Sequence, residues 1–369
     1  MKALSNLFFG LAEKNADARR VVGIDMGSSA IKVVEVQERN EVLTLTTYGE
    51  IQLGPYAGVE IGQSVTLDPK KEQQALVDVI REAVVKTKTS VFAMPLASSF
   101  VTTINFKAAA DEDISSRVRV EARKYIPVPI AEVALDWAEI ETEGNGKSKD
   151  KDKNKNKDME RNVLVAAIQN EALNRFRVLT QFANLGAPPT EIECFSALRG
   201  VYKEGEKNIA IIDIGAVSSK LYIAKNGLLQ RMHRVRAGGA IATKRIASTL
   251  ELSFEAAEIL KRSIDKKDEK FHDVKRAHHT CYDRSLQEFR QVISEYEAKQ
   301  GESIDTIYLT GGGSLFPSIK QLIEDTLQKK VAYVKPFNKV AYPAFMEDMI
   351  TELGPSFHVA LGAALRLYE

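Results

Sequence analysis

The stretches VVGIDMGSSAIKVVEV (21–36) and IAIIDIGAVSSKLYIA (209–224) carry one pattern: an apolar strand, Asp, any residue, Gly, small or hydroxylated residues, then Lys. Aligning Asp25 with Asp213 also aligns Gly27 with Gly215 and Lys32 with Lys220. Glycine lets the backbone turn tightly and approach an anion, so two such turns in phase predict two related half-domains facing one shared ligand. A single turn of this kind reads more readily as an ordinary hairpin than as a ligand site. In each repeat the strand-end carboxylate, Asp25 or Asp213, can face the water shell of a magnesium ion, while the backbone N–H groups of the turn cradle phosphate oxygens. Lys32 can reach a phosphate as a point charge, and the hydroxyls of Ser28, Ser29, Ser218 and Ser219 can add hydrogen bonds.

A third signal is IYLTGGGSLFPSIKQLIEDTL (307–327), an apolar strand running into Gly311, Gly312 and Gly313 and then a predicted helix. Bare backbone there can lie flat against a base or ribose, with the helix N-terminus turned to a phosphate. Three such turns, in the order phosphate, phosphate, adenosine, point to ATP or ADP with Mg2+ as the ligand.

The rest of the chain fits around these turns. A length of 369 residues suits two lobes, and 51 basic against 50 acidic side chains leave no overall field to attract nucleic acid. Cys194 and Cys281 are far apart and form no CxxC, which fits a reducing compartment and gives no zinc site. No apolar run reaches membrane-spanning length, although Leu4, Leu7, Phe8 and Leu11 fall at helical spacing and read as a short apolar stripe.

After the first hairpin and a return strand near 41–53, the pattern predicts a helix near 69–88 opened by Asp68-Pro69. Short strands around VFAMPL and FVTTINF, a helix near 111–125 capped by Asp111 and a strand near 132–141 then read as an inserted α+β subdomain. The tract GNGKSKDKDKNKNKD (144–158) has six Lys, three Asp and no apolar side chain, and reads as a solvated loop. A strand at 163–168, a helix at 170–184 and TEIECFSALRGVY (190–202) resume the first lobe, and 241–303 reads as helical. The expected boundaries are 20–89 with 162–205 for lobe one, 90–161 for the insertion, 206–240 with 304–369 for lobe two, and 241–303 for a helical subdomain. His278, His279 and Cys281 share a predicted helix, but adjacent histidines point to different faces and make a poor metal site.

This constellation resembles the actin, hexokinase and Hsp70 nucleotide-binding superfamily, and within it the chain is similar to the PilM family of actin-like ATPases of type IV pilus assembly. DMGSSAIKVVEV (25–36) resembles the family's first phosphate loop, VRVEARKYIPVPIAEVALDW (118–137) its inserted SHS2-type subdomain, GGAIATKRIASTLELSFEAAEILKR (238–262) the segment leading to the ribose-contacting helix, and ELGPSFHVALGAALR (352–366) the C-terminal interdomain helix. The resemblance implies an α/β, actin-like (ribonuclease H-like) fold of duplicated lobes with mixed five-stranded sheets. It implies that Gly238 and Gly239 border the nucleotide, that Gly311, Gly312, Gly313 and Ser314 frame the adenosine, and that Glu258 and Lys261 flank the ribose. Glu193 falls where relatives place the side chain orienting the attacking water, and reads equally as an ordinary helix N-terminal charge.

One departure stands out. Relatives usually carry small residues and Thr in the second phosphate loop, whereas this chain has Ala216-Val217-Ser218, which places hydrolysis in more doubt than binding. The family's biology implies a cytoplasmic protein held at the inner membrane by the N-terminal tail of a PilN-like partner, with self-association open. The neighbourhood of Arg123, Tyr125, Ile126 and Pro127 is the expected groove, though its apolar members also read as packing. An FtsA-like division protein shares the insertion but needs a terminal linker and membrane-targeting helix, for which ALRLYE is expected to leave no room. A small-molecule kinase needs a catalytic Asp in an acceptor pocket, and none is identifiable.

Overall fold

The computed structural model describes residues 20–109, 112–140, 159–186 and 190–369. The N-terminal stripe, the expected cap Asp111 and the charged tract 144–158 lie outside the described residues.

Lobe one opens with a meander of β1 (Arg20–Met26), β2 (Ala30–Arg39) and β3 (Val42–Gln52). α1 (Pro69–Glu82) then leads to β4 (Ser90–Met94), which runs parallel to β1. α1 starts as its sequence dictates: the Asp68 side chain accepts the N–H groups of Lys70 and Lys71, and Pro69 occupies the first turn. It stops short of the expected residue 88. Val84 takes a left-handed φ of 53°, and the buried Glu35 carboxylate accepts the backbone N–H of Lys86 at 2.7 Å and of Thr87 at 3.0 Å, which pulls those donors out of any helix.

The insertion comprises β5 (Ser99–Ala108), α2 (Ser115–Ala122), β6 (Val133–Glu139) and β7 (Met159–Gln169), paired in the order β5-β7-β6. Two expectations are corrected here. Ser90–Met94, read as the insertion's first strand, belongs to the lobe-one sheet between β1 and a later strand, and the segment 163–168, read as lobe one, lies inside the central strand of the insertion. The cause is burial on both faces. Val163, Val165 and Ala167 fill the insertion's own core, while Leu164, Ala166 and Ile168 face the lobe-one core, so the run is continuously apolar and mimics a buried parallel strand. The helix expected from 111 begins at Ser115, where Asp113 accepts both the backbone N–H and the hydroxyl of Ser115.

Lobe one closes with α3 (Asn170–Phe182), β8 (Thr190–Ile192) and α4 (Glu193–Val201). Lobe two repeats the plan with β9 (Asn208–Ile214), β10 (Ser219–Lys225) and β11 (Leu228–Val235), followed by the helices α5 (Gly239–Leu250), α6 (Phe254–Ser263), α7 (Phe271–Thr280) and α8 (Asp283–Gln300). β12 (Thr306–Thr310), α9 (Ile319–Leu327), β13 (Val331–Tyr333) and α10 (Glu347–Leu365) complete it. The two sheets have the same topology, β3-β2-β1-β4-β8 and β11-β10-β9-β12-β13. Their registers match as well: Asp25 pairs with Lys32 across β1 and β2, and Asp213 pairs with Lys220 across β9 and β10.

α4 and α10 cross between the lobes at glycine contacts. A Cβ on Gly362 would lie 1.8 Å from the Ser196 carbonyl oxygen, and one on Gly200 would lie 2.5 Å from that of His358, so only glycine permits this approach. The crossing is also tied by a buried ion pair. Arg199 donates both terminal nitrogens to Glu191, at 2.6 and 2.7 Å, and one of them also reaches the Gly362 carbonyl at 3.2 Å.

Candidate functional site

The cleft between the lobes gathers the glycine turns. On the lobe-two side, Gly239 donates its N–H to the Gly215 carbonyl at 2.9 Å and Ala240 donates to Ala216 at 2.9 Å, which stitches the start of α5 to the second hairpin turn. A Cβ on Gly239 would lie 3.9 Å from the Gly313 Cα, so the triple-glycine loop borders the same spot. Gly311 sits at φ 86°, and a Cβ there would come within 2.4 Å of Asp213 Oδ1 and the Ile214 carbonyl. That position requires glycine on both counts. Gly312 is exposed, while Ser314 is buried and spends its hydroxyl on the Gly311 carbonyl at 2.7 Å, holding the loop. The triple glycine runs into a short 3-10 turn (Gly312–Leu315), and α9 begins only at Ile319, which corrects the expectation of a helix N-terminus directly after the glycines.

Glu258 and Lys261 come together on α6. Lys261 Nζ donates to Glu258 Oε2 at 2.6 Å, to Thr243 Oγ1 at 2.7 Å and to the Gly239 carbonyl at 3.2 Å, and Arg262 donates to Glu258 Oε1 at 2.6 Å. Burial alone would raise the Glu258 carboxyl, but the neighbouring Lys261 ammonium and the hydrogen bonds around it hold it below its ordinary value. Across the cleft mouth, a Cβ on Gly62 of lobe one would lie 2.8 Å from Glu258 Cδ, so the two lobes approach each other here.

On the lobe-one side Gly27 and Ser28 are exposed and Ser29 is half-buried, with the Ser28 and Ser29 carbonyls fixed by the N–H groups of Val65 and Leu53 at 3.0 and 2.8 Å. Lys32 Nζ lies 3.7 Å from Glu50 and 5.9 Å from the Phe357 ring centroid, with 16% of its side chain accessible. In lobe two, Arg234 donates to the Ser218 hydroxyl at 3.2 Å, and Ala216 and Val217 are half-buried in the turn.

The floor of the cleft is charged. Lys220 Nζ donates to Glu193 Oε2 at 2.7 Å and to Asp213 Oδ2 at 3.3 Å, and Glu193 Oε1 accepts the Leu96 N–H at 2.7 Å. Glu193 opens α4 in lobe one, so Lys220 bridges the lobes. Burial would lift the Asp213 carboxyl, but the Lys220 ammonium brings it below its ordinary value; burial would likewise lower the Lys220 ammonium, and Glu193 with Asp213 outweigh that and keep it charged. Asp25, which keeps some accessible surface, is pushed up to about 6, chiefly by burial. Burial holds the His358 imidazole on α10 below its ordinary value, and its Nδ1 lies 3.0 Å from the Pro355 carbonyl. Its Nε2 and the Tyr222 hydroxyl are buried and without a hydrogen-bond partner among the described residues. The repeat aligned Lys220 with Lys32 in sequence, which was the available signal for its place here, whereas His358, Tyr222, Thr243 and Gly62 carried none.

These residues fit a nucleotide: glycine backbone on three sides, accessible turns, and lysine charge. They fit magnesium less well. Asp213 and Glu193 already bind Lys220, and no three His, Cys, Asp or Glu side chains are gathered to hold a metal ion among the described residues. A cavity of about 750 Å³ lies elsewhere, between β5, β7 and the β11–α8 side of lobe two, and includes none of the glycine turns. Its walls, with Asn105, Asn162, Lys225, Arg231 and Lys299, lack a phosphate cradle, so the cleft is the better-built nucleotide site.

Of the expected partner groove, Arg123, Tyr125 and Pro127 are exposed after α2, and Tyr125 is 54% accessible. Ile126 is not available to a partner: it is buried in the insertion's core with Ile114, Val118, Ala122 and Val133. His278 stacks on Phe316 at 3.8 Å and is a core residue, while His279 hydrogen-bonds the Ser318 hydroxyl.

Comparison with known proteins agrees with this architecture. A family model described as type IV pilus assembly protein PilM matches residues 23–368. The solved PilM-PilN type IV pilus biogenesis complex superposes with a TM-score of 0.78 at 25% identity, over 95% of this chain and 98% of that one. The cell division protein FtsA of Streptococcus pneumoniae serotype 2 (strain D39) is 23% identical over 253 residues, covering 65% of this chain; the chain spans about half, 54%, of that protein's length. MreB5 of Spiroplasma citri bound to ADP shares the fold, with a TM-score of 0.50 at 12% identity over 91% of this chain and 98% of that one. The fold is therefore α/β and actin-like. No helix among the described residues is long and apolar enough to cross a membrane.

Proposed function

The chain belongs to the type IV pilus assembly protein PilM family, and from that premise we propose that it is a nucleotide-binding scaffold of the pilus assembly machinery, working on the cytoplasmic face of the inner membrane through a protein partner. The observation that supports nucleotide binding is the convergence of Gly215, Gly239 and Gly313 in one cleft, opposite the exposed turn at Gly27 and Ser28. ATP or ADP would sit with its phosphates between the two hairpin turns and its adenosine on Gly311, Gly312 and Gly313, near Glu258 and Lys261. A ligand held by both lobes favours a closed arrangement over an open one, so nucleotide acts as a switch. Glu193 is committed to the Leu96 N–H and Lys220, which argues for binding rather than efficient water activation.

The proposed partner is the cytoplasmic N-terminal tail of a PilN-like membrane protein, as the likeness to the PilM-PilN complex suggests. Arg123, Tyr125 and Pro127 offer an exposed basic and aromatic rim for an extended peptide. Pull-down of the full chain with synthetic N-terminal tails of candidate membrane partners tests this. Saturable binding that is weakened by Tyr125→Ala supports the groove, and undiminished binding by that variant places the contact elsewhere. The FtsA likeness keeps a division-protein role as the second reading. Recruitment of the protein to division sites rather than pilus assembly sites would favour it.

A further inference from the structure

The geometry points to Lys220 as a built-in counter-ion that takes the place of a divalent cation on the floor of the cleft, so that nucleotide binds without requiring magnesium. This inference rests on the nucleotide-site reading and adds which positive charge the bound phosphates meet.

The ammonium is fixed between carboxylates from both lobes, 2.7 Å from Glu193 and 3.3 Å from Asp213, and the three side chains are only 13%, 10% and 6% accessible. The backbone sets this position. Lys220 is the cross-strand partner of Asp213, and Glu193 is anchored from its other oxygen by the Leu96 N–H. A divalent ion entering between Asp213 and Glu193 would have to displace a buried, hydrogen-bonded ammonium or sit beside it, and like charges at a few ångströms repel strongly in so enclosed a place. Asp25 is then the one carboxylate left to face the water shell of a magnesium ion, which would take its other ligands from the phosphates and water.

The two repeats have thus diverged in the use of one aligned residue. Lys32 has only a loose contact with Glu50, at 3.7 Å, and remains available to a phosphate oxygen. Lys220 has turned inward. It supplies one positive charge where a divalent cation would supply two, and Lys32 provides a second on the opposite side of the cleft.

Calorimetric titration of the full chain with ATP, once with millimolar magnesium and once with excess EDTA, tests the inference. The expected Kd values differ by less than about threefold in the wild type, whereas Lys220→Met is expected to bind at least about tenfold more tightly with magnesium than without it. The wild-type arm needs no variant and stands if Lys220→Met fails to fold. A wild-type chain whose affinity falls more than about tenfold in EDTA overturns the inference while leaving the nucleotide site intact. A folded Lys220→Met with the same magnesium dependence as wild type also overturns it. Absence of ATP binding under both conditions overturns the nucleotide reading itself, and this inference with it.

Discussion

Gly239 donates its backbone N–H to the carbonyl of Gly215 at 2.9 Å, joining the N-terminus of α5 to the turn between β9 and β10. The bond forms one continuous ledge of bare backbone from two segments more than twenty residues apart in sequence, and Gly313 borders it. A side chain at Gly239, whose Cβ would meet nothing nearer than Lys261 Nζ at 3.6 Å, would occupy ligand space before it disturbed the fold, whereas one at Gly313 would lie 2.4 Å from Ile214.

Gly312 gives the cleanest version of that test. A Cβ there meets only Ser356 Oγ, at 3.5 Å, and the position is exposed, so Gly312→Val is expected to fold normally and to weaken ATP binding at least about tenfold. Thermal melting and calorimetry on the same sample check both halves. Unaltered affinity would remove the triple glycine from the site.

Lys32→Ala is expected to leave stability within about 1 kcal/mol, because the contact with Glu50 is loose and partly exposed. ATP affinity should fall by about 1.5–3 kcal/mol if the ammonium meets a phosphate. A stability loss with unchanged affinity would give Lys32 a structural role only.

Asp25 titrates at about 6 in the folded chain against an ordinary 3.8. Its pKa is raised, so the folded state holds the proton more tightly, and this contribution to stability is lost as pH rises from about 4 to about 6. Above that range the buried carboxylate is a cost. Asp25→Asn should therefore stabilise the nucleotide-free protein at pH 7 by about 1–2 kcal/mol, after discounting for water at its accessible edge, and the gain should vanish near pH 4. Urea unfolding at the two pH values measures it, and an equal gain at both would contradict the assignment.

Arg199→Met should destabilise the protein by about 3–5 kcal/mol, because it leaves Glu191 buried without its bidentate partner. Replacing both residues, Glu191→Leu with Arg199→Met, should recover much of the loss. A double variant as unstable as the single one would show that packing at the α4–α10 crossing, rather than the unpaired charge, governs the effect.

The sequence made the duplication legible because glycine and aspartate recur at positions the backbone itself requires. Asp25 and Asp213 do occupy equivalent places in matching registers. The boundaries of the insertion were not legible, since β7 is apolar on both faces and its pattern cannot say which sheet it joins. The end of α1 was hidden for a different reason: Glu35, some fifty residues away in sequence, captures the N–H groups of Lys86 and Thr87. Lys220 was visible as a repeat of Lys32, but its inward turn depends on Glu193 from the other lobe, and no local pattern encodes that.

The most direct test is a structure of the protein determined with ATP. Nucleotide density should lie between the turns at Gly27–Ser29 and Gly215–Ser218, with the base on Gly311, Gly312 and Gly313 and Lys220 still bridging Glu193 and Asp213. An empty cleft, or nucleotide bound only in the cavity between the insertion and lobe two, would contradict it.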